Sequence, residues 1–348
     1  MKFLFLSSDK TSLATADDVI IQGVRNALLA KPGCEEVTTP AAADAIVLEE
    51  TFSFKEWRYI SKLLADPIVG RYPHKVYTIN RDDAANGLLK GLYTSLLKER
   101  RHVGLHRAVH YSYWPNRGIL TAGNAPRPAP RYLGTWSGNI KSNPVLRGRM
   151  VAKCRRDSQF LIEPTDSWLN HRPDEQQQFV DSIRSSKFSL CPAGWSAASF
   201  RIYESMALGV CPVIIADSFI PPAGLNWADC SLQVRERDVS RLREILLREE
   251  HTWEERGLRA REAWLRLFSP RVSMDYYADQ LLVCVRANLG SGSREKEIAR
   301  WQSFRTHWLN QWTVPQRLRA MLRKQIQSGS RGVSRLISPR SRQASPKS

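Results

Sequence analysis

The chain has 348 residues and a mass of 39.7 kDa, enough for about two domains, and its 42% apolar and 25% charged residues suit a globular protein. That composition excludes a wholly disordered chain, and 6 cysteines with no Cys-x-x-Cys pair exclude a disulfide framework and the usual structural zinc spacing. Lys plus Arg exceed Asp plus Glu by 52 to 34, a net +18.

The opening run, Lys2 to Ser8, carries too short an apolar stretch for a secretory signal and reads as a buried first strand. Apolar residues at helical spacing follow over Thr15–Ala30 and stop at Lys31-Pro32-Gly33. Ala45–Leu48 is a second buried run, Phe54–Leu64 a helix, and Lys75–Ile79 a third strand ending in Asn80-Arg81-Asp82-Asp83. Strands alternating with helices imply βαβ units and parallel sheets. Asp9, Glu49, Glu50, Asp82 and Asp83 all fall just past strands, where open α/β sheets bind ligands. Tyr111–Arg131 reads as a proline-rich loop, Leu133–Trp136 as another strand, and Val145–Cys154 as a basic helix. The domain boundary is expected near 150–170.

The second half opens on a compact βαβ unit. Lys187–Pro192 is a strand, Ala193-Gly194-Trp195-Ser196 a turn, the segment up to Leu208 a helix stopped by Gly209, and Pro212–Ala216 an apolar strand. A helix that starts just past a strand presents unpaired N–H groups and a partial positive charge, which suits phosphate. Ser196 and Ser199 can cap that helix or bind an anion. Arg201 opposes the helix dipole unless an anion is there, and Glu204 lies one turn on. The plain alternative is a surface Arg201–Glu204 pair. Neither a dinucleotide fingerprint nor a P-loop occurs. Beyond this unit, Val239–Arg248, Thr252–Leu267 and Val272–Ala287 read as helices.

The stretch Lys187-Phe-Ser-Leu-Cys-Pro-Ala-Gly-Trp-Ser-Ala-Ala-Ser-Phe-Arg-Ile-Tyr-Glu-Ser-Met-Ala-Leu-Gly-Val-Cys-Pro-Val-Ile-Ile-Ala-Asp217 resembles the signature of exostosin-like glycosyltransferases. Gly91-Leu92-Tyr93-Thr94-Ser95, Gly138-Asn139 and Asn143-Pro144-Val145 are compatible with the same family. The resemblance implies a GT-B fold: two Rossmann-like domains facing across a cleft, an acceptor domain over 1–160 and a nucleotide-sugar domain over 161–290. It implies that Glu204 grips the donor ribose, that Gly194, Ser196, Ser199 and Arg201 cradle the diphosphate, that Phe200 also belongs to the donor-binding set, and that transfer is inverting. The donor would be UDP- or GDP-linked and the acceptor a glycan or polysaccharide, with no cofactor. No Asp-x-Asp motif occurs, so fixed positive charge from the helix and Arg201 fits the leaving group better than a bound metal.

The acceptor base is expected at Asp82 or Asp83; Asp9 and the histidines His106 and His110 are the alternatives. Ile298, Trp301, Trp308 and Trp312, with Phe304 and Arg305 nearby, recur at helical spacing in a segment assigned to 291–313. That segment suits either a helix packed back on the first domain or an interfacial helix. The tail, 314–348, has few apolar residues, and from Thr313 onward the chain carries nine basic residues and no acid. It suits anionic membrane, nucleic acid or plain solvation, with nucleic acid the least favoured partner. No apolar run of membrane-spanning length occurs, which points to a cytoplasmic enzyme, peripheral to the inner face of the membrane if the tail binds lipid. The rival readings are a fucosyltransferase-like GT-B enzyme and a nucleic-acid-binding or scaffold protein.

Overall fold

A computed structural model describes residues 1–16, 19–50, 59–83, 85–112, 116–166 and 172–306. The first half lays down β1 (Lys2–Leu6), α1 (Val19–Leu29), β2 (Glu35–Glu36), β3 (Ala45–Glu49), α2 (Tyr59–Ala65), β4 (Val76–Asn80), β5 (Lys90–Tyr93) and β6 (His106–Ala108). They form one parallel sheet in the order β2-β1-β3-β4-β5-β6. After a short α3 (Gly118–Ala122), the chain builds a second set of elements. These are β7 (Tyr132–Gly138), α4 (Pro144–Cys154), β8 (Phe160–Pro164), α5 (Pro173–Arg184), β9 (Ser186–Pro192), α6 (Phe200–Ala207), β10 (Cys211–Ile215), α7 (Trp227–Cys230) and β11 (Leu232–Gln233). The second parallel sheet runs β11-β10-β9-β7-β8. β3, β4 and β10 are buried along their whole length, as strands covered by helices on both faces must be.

The division between the sheets falls earlier than the sequence suggests. β7 hydrogen-bonds β8 and β9, so it and α4 belong to the second sheet, and the change of sheet lies between Ala108 and Tyr132. The proline-rich segment, not the region near 150–170, is the connection.

Four helices close the fold: α8 (Leu242–Arg248), α9 (Trp253–Ala263), α10 (Ser273–Asn288) and α11 (Arg294–Trp301). α9 packs under β10 and α6, with a π-helical turn at Trp264–Phe268 leading out of it. α10 crosses back and packs on α1, β5 and β6 of the first sheet. One apolar core therefore runs through both halves, joining Phe3, Val24 and Leu92 to Tyr203, Phe268 and Tyr277. α11 also returns to the first half: Trp301 is fully buried beside Leu63 and Val69, and its indole N–H donates to the Leu88 carbonyl at 3.0 Å. Of the two expectations for the Trp-rich segment, the described part follows the packed-back one; Trp308, Trp312 and the basic tail lie outside the described residues. No helix among the described residues is long and apolar enough to cross a membrane.

Candidate active site

In each sheet the first strand lies between the second and the third, so the chain winds outward in opposite directions from that point. Crossovers then diverge and leave a crevice at the carboxyl ends of the strands. In the second sheet, over β7, β8 and β9, that crevice is a cleft of about 720 Å³. Gly194, Ser196, Ser199, Phe200, Arg201 and Glu204 all line it, and Asp83 and Tyr111 reach it from the first half.

The turn from β9 to α6 holds its own shape. Ser199 is the N-cap, with extended backbone and a hydroxyl accepting the Arg201 N–H at 3.3 Å. Ser196 donates to the Ala198 carbonyl at 2.9 Å and accepts the Ala198 N–H at 3.1 Å. Both hydroxyls the sequence offered for capping or anion binding are thus engaged in shaping the turn, and the anion-binding capacity rests with the helix terminus and the arginines.

Arg201 lies over Phe179, with its guanidinium carbon 4.9 Å from the ring centroid and 6.0 Å from that of Trp136. One terminal nitrogen donates to the Ser137 carbonyl, while its buried Nε has no hydrogen-bond partner among the described residues. Burial pushes its guanidinium down from the ordinary value. Glu204 is 6% exposed and accepts no hydrogen bond from the described residues. Burial pushes its carboxyl up to about 7 against the pull of Arg201. No ion pair joins the two among the described residues, and Glu204 is not on the surface, so the surface-pair reading fails.

A second cation, Arg147 of α4, escaped the sequence reading. It donates to the Ala193 carbonyl at 3.1 Å, the Pro192 carbonyl at 3.1 Å and the Asn139 carbonyl at 2.8 Å, tying the turn after β9 to the turn after β7. Burial, then Arg201, push its guanidinium down to about 10. Two half-buried arginines that repel each other beside a helix N-terminus form a site that an anion stabilises. A Cβ on Gly194 would lie 2.8 Å from Arg147 Nη2, so a larger residue there displaces the end of the Arg147 side chain. The signal available in the sequence was the one applied to Arg201: a cation near the amino end of a helix, opposing the dipole.

The candidate bases separate. Asp83 lines the cleft and accepts a hydrogen bond from the Tyr111 hydroxyl at 2.9 Å. Asp82, its neighbour, is buried with its backbone N–H donating to Asn80 Oδ1 at 3.0 Å and does not line the cleft. Asp9 is exposed beside Ser7, away from the cleft lining. His106 accepts the His102 N–H at 3.1 Å, and burial pushes it down to about 3. His110 is fully buried among Tyr203, Phe268, Tyr276 and Tyr277, with Nε2 2.8 Å from Ser273 Oγ, and burial pushes it to about 3 as well. Both histidines are neutral packing residues outside the cleft lining.

The exostosin GT47 domain model matches residues 44–248, from β3 through α8, and so takes in β3 to β6 of the first sheet, all of the second sheet and every residue lining the cleft. The chain belongs to the exostosin GT47 family. That decides between the exostosin-like and fucosyltransferase-like readings. Relatives of this exostosin chain include a probable glucuronoxylan glucuronosyltransferase of Arabidopsis thaliana, 44% identical over 122 residues, covering 32% of this chain and 25% of that protein. A probable glucuronosyltransferase of Oryza sativa subsp. japonica is 52% identical over 112 residues, or 32% of this chain and 24% of that protein. A probable glycosyltransferase of Arabidopsis thaliana is 30% identical over 162 residues, or 45% and 32%. The aligned part thus spans a quarter to a third of these relatives. A glycosyltransferase from Rickettsia africae superposes with a TM-score of 0.40 and 9% identity over 84% of this chain and 99% of that one, a likeness too slight to build on.

Proposed function

We propose that this chain transfers a sugar from a nucleoside-diphosphate sugar to a glycan hydroxyl, with inversion at the anomeric carbon. The observation that carries this reading is the open cleft at the switch point of the second sheet, where a buried carboxylate with no hydrogen-bond donor among the described residues shares the lining with two arginines and a helix N-terminus. The leaving group of such a transfer is a nucleoside diphosphate, which accumulates negative charge as the glycosidic bond breaks. The N–H groups at the start of α6, together with Arg201, are fixed where that charge develops. Arg147 holds the turn in place. The Glu204 carboxylate accepts the two hydroxyls of the pentose, which supply the hydrogen bonds it lacks in the protein. Asp83, from the other half, takes the proton of the attacking acceptor hydroxyl. A base on one side and a phosphate cradle on the other suit in-line displacement.

Several relatives are named as probable glucuronosyltransferases, which makes a sugar acid the first donor to try. The test is a panel of UDP- and GDP-sugars, including UDP-glucuronate, with xylo-oligosaccharide acceptors and release of the diphosphate as readout. One nucleotide class should support acceptor-dependent release, and Arg201→Ala should lower the rate of release at least 100-fold while the protein stays folded. Failure of every donor to shift the unfolding temperature would sink the reading, since a ligand at 100 times its Kd stabilises by about 2.7 kcal/mol.

A further inference from the structure

Tyr111 touches both the candidate base and the donor turn. It lies in the connection between the sheets, three residues past the end of β6, and is 5% exposed. Its hydroxyl donates to Asp83 Oδ1 at 2.9 Å and lies 3.4 Å from Ser196 Oγ. Its ring is 4.2 Å, centroid to centroid, from Phe200, the first residue of α6. We infer that Tyr111 is the positioning residue of the transfer reaction, holding the Asp83 carboxylate toward the acceptor hydroxyl at a fixed distance from the diphosphate cradle. This rests on the reading of Asp83 as base.

Asp83 stands in the first half and the donor in the second, and base and anomeric carbon must meet with little error, since a misplacement of about 1 Å can cost about 100-fold in rate. A tyrosine whose ring packs at a 35° tilt against Phe200, at the start of the donor helix, fixes that spacing with its rigid ring. Burial, then the Asp83 charge, push its hydroxyl well above the ordinary phenol range, so it stays a proton donor and never competes as the base. The contact to Ser196 is the weaker one, because Ser196 already has both its partners within the turn. Loss of the Tyr111 hydroxyl should therefore disturb Asp83 and leave the donor turn intact.

The experiment is a double-mutant cycle on Tyr111→Phe and Asp83→Asn. Transfer is followed with the sugar nucleotide found active, and affinity for its free nucleoside diphosphate is measured by calorimetry. Phenylalanine keeps the ring against Phe200, so the fold and the diphosphate Kd should stay within about twofold of wild type, while kcat falls about 10- to 100-fold. In the Asp83→Asn background the same change should cost nothing further, because Tyr111 acts through Asp83. An undiminished effect of Tyr111→Phe in that background, or a weakened diphosphate Kd with kcat unchanged, would overturn the inference. Asp83→Asn retaining full transfer would instead overturn the assignment of the base, which is a separate outcome.

Discussion

At the scale of single residues, the site depends on groups placed where the protein alone does not satisfy them. Glu204 is the sharpest case. An unfolded glutamate titrates near 4.5 and this one, buried, near 7. Between those values the folded chain binds more protons than the unfolded one, so stability falls as pH rises and the loss, about 3 kcal/mol, is complete above about pH 7. Denaturant unfolding at pH 5 and pH 8 should therefore show a decline in wild type that Glu204→Gln lacks. A mutant with the same decline would place the titration elsewhere. Such a cost in the free protein is expected where a ligand supplies the missing partners. Several arginines have a different role: Arg127, Arg256 and Arg261 donate to backbone carbonyls at element ends. Part of the positive excess is thus built into the fold.

At the scale of elements, the strand–turn–helix unit β9–α6 was legible in the sequence because everything that makes it is local: an apolar strand, a capping serine and a stopping glycine. Gly209 takes a φ of +69°, as the stop requires. β5 was not legible as a strand. Its sequence, Lys90-Gly91-Leu92-Tyr93, has no β-branched run, and its lysine is buried through contacts far away in sequence, over the Tyr77 ring. Gly91 is there because a Cβ would lie 2.1 Å from the Thr78 carbonyl of the neighbouring strand, a constraint that only the sheet imposes. β8, an edge strand with a mixed burial pattern, and the two-residue β11 gave no periodicity to read. The same distinction governs the site. The residues of the turn were visible, whereas Arg147, 45 or more residues from the carbonyls it holds at Pro192 and Ala193, was not. Gly194→Ala tests that brace directly. A methyl group there would push Arg147 aside, and because the contact is the far end of a flexible side chain, the fold should survive. Nucleotide affinity should drop about 10-fold, with the unfolding midpoint lowered by no more than about 1 kcal/mol equivalent. An unchanged affinity would mean that the brace does not shape the site.

At the scale of the whole molecule, the two halves are joined by more than a linker. α10 packs across to α1, and the aromatic cluster around His110 places Tyr203, Phe268 and Tyr277 in the core that also contains Phe3 and Leu92. A continuous apolar interface limits rigid-body opening, so the cleft is set largely by packing. α11 reinforces the first half through Trp301. Trp301→Ala should lower stability by about 3–5 kcal/mol, read as a fall in unfolding midpoint, whereas removing residues 314–348 should change neither the midpoint nor nucleotide affinity. A truncated chain that loses nucleotide binding would give the basic tail a part in the site.

Titration calorimetry of UDP and GDP against wild type and Glu204→Ala addresses the donor pocket itself. One of the two nucleotides should bind wild type saturably, with affinity falling as pH drops below about 7, and should bind the folded mutant at least 10-fold more weakly. Equal affinity in both proteins, or no binding of either nucleotide to wild type, would contradict the assignment of this cleft to a nucleotide-sugar.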